Sequence, residues 1–119
     1  MIYSDLIVWK LGMKLAKAVY NDIISALPPS EKYGLADQMR RAAISVPSNI
    51  AEGHARDTTK EFLKFLSYAK GSVAELQTQL LLCVEIGLLK SDAIQPSMKL
   101  SDETMHKLNN LILTLKDKL

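Results

Sequence analysis

Across residues 62–87 the side chains Phe62, Leu66, Ala69, Val73, Leu76, Leu80 and Cys83, closed by Gly87, recur at alternating intervals of four and three. A seven-residue repeat of this kind keeps one stripe on one face of an α-helix. It excludes a strand, whose faces alternate at every second residue. The helix it predicts covers residues 57–86 and, at ~1.5 Å per residue, is about 45 Å long. A chain of 119 residues makes a single domain, here spanning residues 1–119. In one small domain, a helix of that length is covered only by other helices laid beside it. Its second half, residues 80–89, is apolar almost all the way round. A helix with no polar face needs cover on every side, and in a small bundle a partner subunit is the expected source.

Three further segments carry helical periodicity. In residues 4–27, Leu6, Trp9, Met13, Ala16, Tyr20, Ile23 and Leu27 form the expected core stripe, with Lys10, Lys14, Lys17 and Asn21 on the solvated face. Ser4 or Asp5 is the expected N-cap. Pro28-Pro29 ends the helix, because proline disfavours helical geometry in the residue before it. In residues 34–52 the stripe is Leu35, Met39, Ala42, Val46 and Asn49, with Ala43 and Ile50 beside it. Pro47 lacks a backbone donor and crowds the Ala43 carbonyl, so a kink is expected there. Gly53 is the expected C-terminal cap. In residues 101–118 the stripe is Met105, Leu108, Ile112 and Leu115, continuing to Leu119. Ser101 is its expected cap, and Asp102 and Glu103 suit the positive end of the helix dipole. Pro96 leaves residues 91–100 open between a loop and a short separate turn. Short connections favour antiparallel neighbours, so the fold class is all-α, an antiparallel up-down four-helix bundle with shallow crossing angles.

The chain carries 15 basic and 13 acidic residues, a net charge of +2. That balance does not demand a nucleic-acid partner, but it leaves room for a local basic patch. The one cysteine, Cys83, excludes an internal disulfide and fits a reducing, cytoplasmic setting. Met1-Ile2-Tyr3-Ser4-Asp5 lacks a basic start followed by a long apolar run, so no signal peptide is expected. The longest unbroken apolar run, residues 80–84, falls far short of a membrane span.

No catalytic constellation emerges. Glu103 and His106 have a Glu-x-x-His spacing that puts both on one helix face. A di-iron bundle needs two such motifs and two further glutamates, so a solvated His106 is expected. Cys83 falls on a core stripe, where a thiol behaves as a small hydrophobe with no activating base or cation named by the sequence. Gly53, Gly71 and Gly87 are isolated and make no phosphate loop. The chain is therefore read as non-enzymatic, with no metal and no cofactor.

The basic residues around the second turn are the candidate binding site. Arg40 and Arg41 precede the turn; Arg56, Lys60 and Lys64 follow it. Lys60 and Lys64 are one helical turn apart, and Arg56 aligns with them if the third helix begins early. Such a group neutralises phosphates without reading bases. The opposing reading is structural. A fold-back about residues 54–57 brings Arg41 level with residues 70–72, which makes Glu75 a partner for Arg40 or Arg41. Lys60 and Lys64 are then a solvated face. Ser48, Asn49 and Glu52 form the polar end of the second helix. Asn49, on the core line, must satisfy its amide if buried. Its expected partners are backbone groups freed by Pro47 or exposed at the helix end. A small-anion site there is the lesser alternative.

Val8-Trp9-Lys10, Tyr20, Pro28, Glu31, Tyr33-Gly34-Leu35 and Gln38-Met39-Arg40-Arg41-Ala42-Ala43 stand in an order and spacing that resemble one known family. So do Ser48-Asn49-Ile50-Ala51-Glu52-Gly53, Arg56, Phe62, Phe65-Leu66, Ala69, Gly71-Ser72, Glu75-Leu76 and Gly87. The chain resembles the bacterial four-helix bundle proteins encoded in intervening sequences of 23S ribosomal RNA genes, closely over residues 4–90 and loosely over the last helix. The resemblance implies a small cytoplasmic all-helical subunit that assembles as a ring-like homo-oligomer, typically a pentamer. That family is also similar to the accessory proteins of diversity-generating retroelements, basic pentamers that bind nucleic acid and a reverse transcriptase. RNA is thereby implied as a partner. Pro96 departs from the family's usual continuous last helix. The ribosomal label reflects gene location and not ribosome membership.

The leading expectation is a non-enzymatic homo-oligomer that binds structured RNA or another nucleic acid. Arg40, Arg41, Arg56, Lys60 and Lys64 are its expected phosphate contacts. Ser48, Asn49, Glu52, Gly53 and Glu75 form a structural motif. The alternative is a protein-interaction scaffold with no nucleic-acid role, in which the arginines are ion-pair partners.

Overall fold

The computed structural model describes residues 2–119; Met1, the first residue of the segment read for a leader, lies outside them. Four helices carry the fold: α1 (Ile7–Ala18), α2 (Leu35–His54), α3 (Thr59–Glu85) and α4 (Ser91–Lys116). Among the described residues there is no strand. Among the described residues no helix is long and apolar enough to cross a membrane. α2 and α4 each pack against both α1 and α3, while α1 and α3 do not pack on each other. The two therefore stand at diagonal corners of a bundle 46 × 23 × 20 Å in extent.

α3 follows its repeat. Leu66, Ala69, Val73, Leu76, Leu80 and Cys83 are all buried. The helix begins at Thr59, capped by Thr58, whose hydroxyl accepts from the Glu61 amide at 3.1 Å. Arg56 thus lies ahead of the helix and does not align with Lys60 and Lys64. Gly87, at φ +80°, ends the run in the left-handed region that glycine adopts without a Cβ clash. Inside the core the Cys83 thiol lies 3.9 Å from the Met39 sulfur. Burial, and secondarily the negative charge of Glu31, push the thiol above its ordinary pKa.

α1 departs from the expected stripe by one residue, and the backbone explains it. The helix continues through a π turn, Val19–Ile23, and a 3-10 turn, Ile24–Ala26, before Leu27 becomes extended ahead of Pro28-Pro29. A π turn closes i to i+5 and so holds one residue more than an α turn. At its end Ile23 is buried as expected. Before it the buried line is Val8, Gly12, Leu15 and Val19, each one position ahead of Trp9, Met13, Ala16 and Tyr20. Met13 and Tyr20 are exposed, and Trp9 and Ala16 are half-buried. Gly12 lets α1 come close to α2: a Cβ there would sit 3.2 Å from Val46 Cγ1 and 3.4 Å from the Pro47 nitrogen. Neither Ser4 nor Asp5 caps α1, whose N-cap is Leu6. Asp5 instead accepts from the Ile2 amide at 3.2 Å and closes a 3-10 turn, Tyr3–Asp5.

α2 is helical on both sides of Pro47, and its first amide, on Leu35, donates to Glu31 Oε1 at 3.1 Å. Gly53 is not its cap. The glycine lies inside the helix and is buried, and the C-cap is Ala55. Its purpose is clearance, since a Cβ there would fall 2.5 Å from Phe65 Cβ on α3.

α4 is one helix from Ser91, so residues 91–100 are neither loop nor separate turn. Pro96 is exposed near its start. The one bond the proline removes would reach the carbonyl of Asp92, on an exposed first turn where water can replace it. Buried Ile94 and Ser97 anchor the same turns. Ser101 is therefore no cap. It is buried mid-helix, donating to the Met98 carbonyl at 2.7 Å and accepting from Gln77 Nε2 at 2.9 Å.

Candidate functional site

The five basic residues do not form one patch. Arg40 and Arg41 lie near the start of α2 and Arg56 lies past its end, roughly 20 Å away along the helix. Each arginine meets a carboxylate one turn back. Arg40 Nη1 is 3.2 Å from Asp37 Oδ1, Arg41 Nε is 3.2 Å from Asp37 Oδ2, and Arg56 Nη2 is 3.1 Å from Glu52 Oε1. Asp37 shares its two oxygens between two guanidinium groups, so this cluster keeps one net positive charge. Arg41 remains 75 % exposed.

Glu75 is not the partner of either arginine. The Ser45 and Ser72 hydroxyls meet at 2.7 Å across α2 and α3. That register sets Arg41 level with about Leu76, not with residues 70–72. Glu75 is within one turn, but Asp37 sits on the arginines' own helix at the i,i+3 and i,i+4 spacings where side chains meet. Asp37→Asn is expected to cost only ~0.5–1 kcal/mol, because the pairs are solvent-screened. Urea unfolding checks this, and a loss well above that range would make the pairs structural anchors.

Arg56 also lies over the Phe65 ring, 4.8 Å from its centroid. Stacking of this kind at a partly exposed site contributes ~0.5–1 kcal/mol. It holds the guanidinium against α3. Lys60 and Lys64 differ: both are exposed, one turn apart on α3, and neither has an ion-pair partner among the described residues.

Between the two arginine sets runs a polar seam. Asn49 Nδ2 donates to the Ser45 carbonyl and hydroxyl, both at 2.8 Å. Ser72 donates to the Tyr68 carbonyl at 3.1 Å. A hydroxyl has one proton, so Ser45 must donate to Ser72, and the chain runs Asn49, Ser45, Ser72, Tyr68 in one direction. Asn49 thus satisfies its amide within its own helix, and not at the Ala43 carbonyl that Pro47 frees. The seam joins α2 to α3; it exposes no unpaired cationic group for an anion. Ser48 and Glu52 face solvent beside it.

On the other side of α2 is an open groove of about 380 Å3. Trp9 and Met13 of α1 form one wall, Ile44 and Pro47 of α2 the other, and Tyr3 lies at one end. Sequence reasoning missed this surface because it assigned Trp9 and Met13 to the core. Asp37 was missed too, although its spacing to Arg40 and Arg41 was readable. Nothing local to Arg56 pointed to Phe65.

His106 is exposed, and its ring lies 3.4 Å from the Asn110 amide nitrogen, one turn along α4. No three His, Cys, Asp or Glu side chains among the described residues are grouped to hold a metal ion.

No curated protein matches the chain. The model of one family does, that of the 23S rRNA-intervening sequence protein, over residues 4–110. The match takes in α1, α2, α3 and most of α4, and with them both arginine sets and the polar seam; the chain belongs to the 23S rRNA-intervening sequence protein family.

Proposed function

We propose that this chain is a non-enzymatic subunit of a homo-oligomeric helical scaffold, with a ring of five as the expected assembly. The observation that carries the reading is apolar surface left uncovered on opposite flanks. Met13 and Ile44 are exposed beside the groove, and Leu81, Leu82 and Ile86 are exposed on α3. A scaffold subunit needs such surface. The ion-paired arginines support the same view, since their charge is largely answered within the subunit. A lone, buried thiol suits a reducing cytosol. Light scattering on the purified chain is expected to give a multiple of 13.2 kDa at micromolar concentration; a monomer defeats the reading. Nuclease treatment of the native complex is then expected to leave its protein partner attached.

A second reading, binding of structured RNA, draws support from Lys60 and Lys64 and from the residual charge at Arg40 and Arg41. A ring multiplies a weak patch by effective concentration. In that case Lys60→Gln with Lys64→Gln lowers the slope of log affinity against log salt by about 1–2. RNA anisotropy over a salt series measures it. An unchanged slope removes both lysines from the contact.

A further inference from the structure

α1 is apolar on two stripes, and the fold buries one of them. Val8, Leu15 and Val19 face the core, while Trp9, Met13 and Tyr20 trace a second line at the surface. Its border is basic. Lys10, Lys14 and Lys17 are the only charged residues between Asp5 and Asp22, and all three are exposed. At the diagonal corner of the bundle, the outer side of α3 exposes Leu81, Leu82 and Ile86. Between Lys70 and Lys90 the only charged residues are Glu75 and Glu85, both exposed. Neither glutamate is in an ion pair among the described residues.

Two uncovered apolar surfaces therefore carry borders of opposite sign. We propose that they are the two halves of one contact between copies of this chain: the Trp9–Met13 ridge of one subunit seats against the outer side of α3 in the next. The occupant of each surface is a second copy. α1 and α3 stand at diagonal corners, so a subunit cannot satisfy its own pair, and the contact is head-to-tail. A two-fold contact would instead set lysines against lysines or glutamates against glutamates. Head-to-tail contacts close into a ring or continue as a filament. A long flank of the bundle projects roughly 900 Å2, against the ~800 Å2 per partner of a standard interface. Opposite borders fix which faces meet more than they add affinity. This inference rests on the homo-oligomeric reading and adds which surfaces make the assembly.

Charge reversal tests it. One variant carries Lys10→Glu, Lys14→Glu and Lys17→Glu; a second carries Glu75→Lys and Glu85→Lys. Each alone is expected to raise the apparent dissociation constant by about tenfold or more in low salt. An equimolar mixture of the two is expected to reassociate in alternation, as open chains or rings with an even number of subunits, because each then meets opposite charge on the other. A chain carrying both sets is expected to recover the wild-type mass. Circular dichroism separates lost assembly from lost fold, and the mixture decides the matter even if the chain with all five changes does not fold. Reversed chains that keep the wild-type mass, or a folded mixture that stays monomeric, would overturn the proposal. A monomeric wild type overturns the homo-oligomeric reading as well. An oligomeric wild type indifferent to both reversals overturns only the pairing of these faces.

Discussion

Gly53→Ala is expected to destabilise the fold by about 2 kcal/mol, within the range of overpacked core sites. The added methyl would lie 2.5 Å from Phe65 Cβ and 3.1 Å from Phe62 Cδ1. A Cβ atom is fixed to its backbone, so relief requires α2 and α3 to move apart, and a rotamer change does not supply it. The loss extends to the Ser45–Ser72 contact along the same helix pair. The same substitution at Gly71 has the opposite sign. Gly71 sits inside α3 with nothing within 4 Å of a built Cβ, so alanine there is expected to stabilise by about 0.5–1 kcal/mol through helix propensity. Urea unfolding at one fixed protein concentration measures both. Equal effects at the two glycines would mean that α2 and α3 do not approach at Gly53 as described.

Leu80→Ala is expected to cost about 3 kcal/mol, through lost transfer energy and the cavity left behind. Leu80 is fully buried, whereas Leu82, two residues on in the same apolar run, is 43 % exposed. Leu82→Ala removes little from a single subunit, about 0.5–1 kcal/mol of partial burial. Its larger effect is expected on assembly. The two variants therefore differ in concentration dependence. The Leu80→Ala loss is the same at every protein concentration, while the Leu82→Ala loss grows as assembly contributes more to the wild type. A Leu82 effect independent of concentration would remove that side chain from the contact between copies.

Much of the architecture was readable because its signal is periodic and local. Leu66, Ala69, Val73, Leu76, Leu80 and Cys83 repeat over about five turns of α3, and every one is buried. The errors share a cause: each depended on a backbone detail or a tertiary partner that composition does not encode. One extra residue in the π turn moved the inward line of α1 from Trp9 and Met13 to Val8 and Gly12. Pro96 looked like a break, yet the carbonyl it leaves free, that of Asp92, lies on an exposed first turn where water can replace the bond. Gly53 looked like a cap because glycine commonly ends helices, and only the approach of Phe65 shows why it is there. The site was readable in the same measure. Asp37 stands three and four residues before Arg40 and Arg41, a spacing that already names a partner. The stacking of Arg56 on Phe65 depends on how the turn at residues 55–58 folds back, so no local rule could have found it.

The π turn at Val19–Ile23 also decides which surface of α1 is the inner one. Removing a single residue there would let the turn close in regular α geometry with Val8, Gly12 and Leu15 still facing inward, because a π turn holds one residue more than an α turn. Drawing the same residues into regular α geometry with none removed would instead rotate the preceding segment by about 100°. Trp9, Met13 and Ala16 would then swing inward, and Val8, Gly12 and Leu15 would turn out. The turn thus takes up the slack of one residue: a one-codon deletion within it leaves the seating of α1 as it is, whereas straightening it at full length would exchange the inner and outer surfaces of a whole helix.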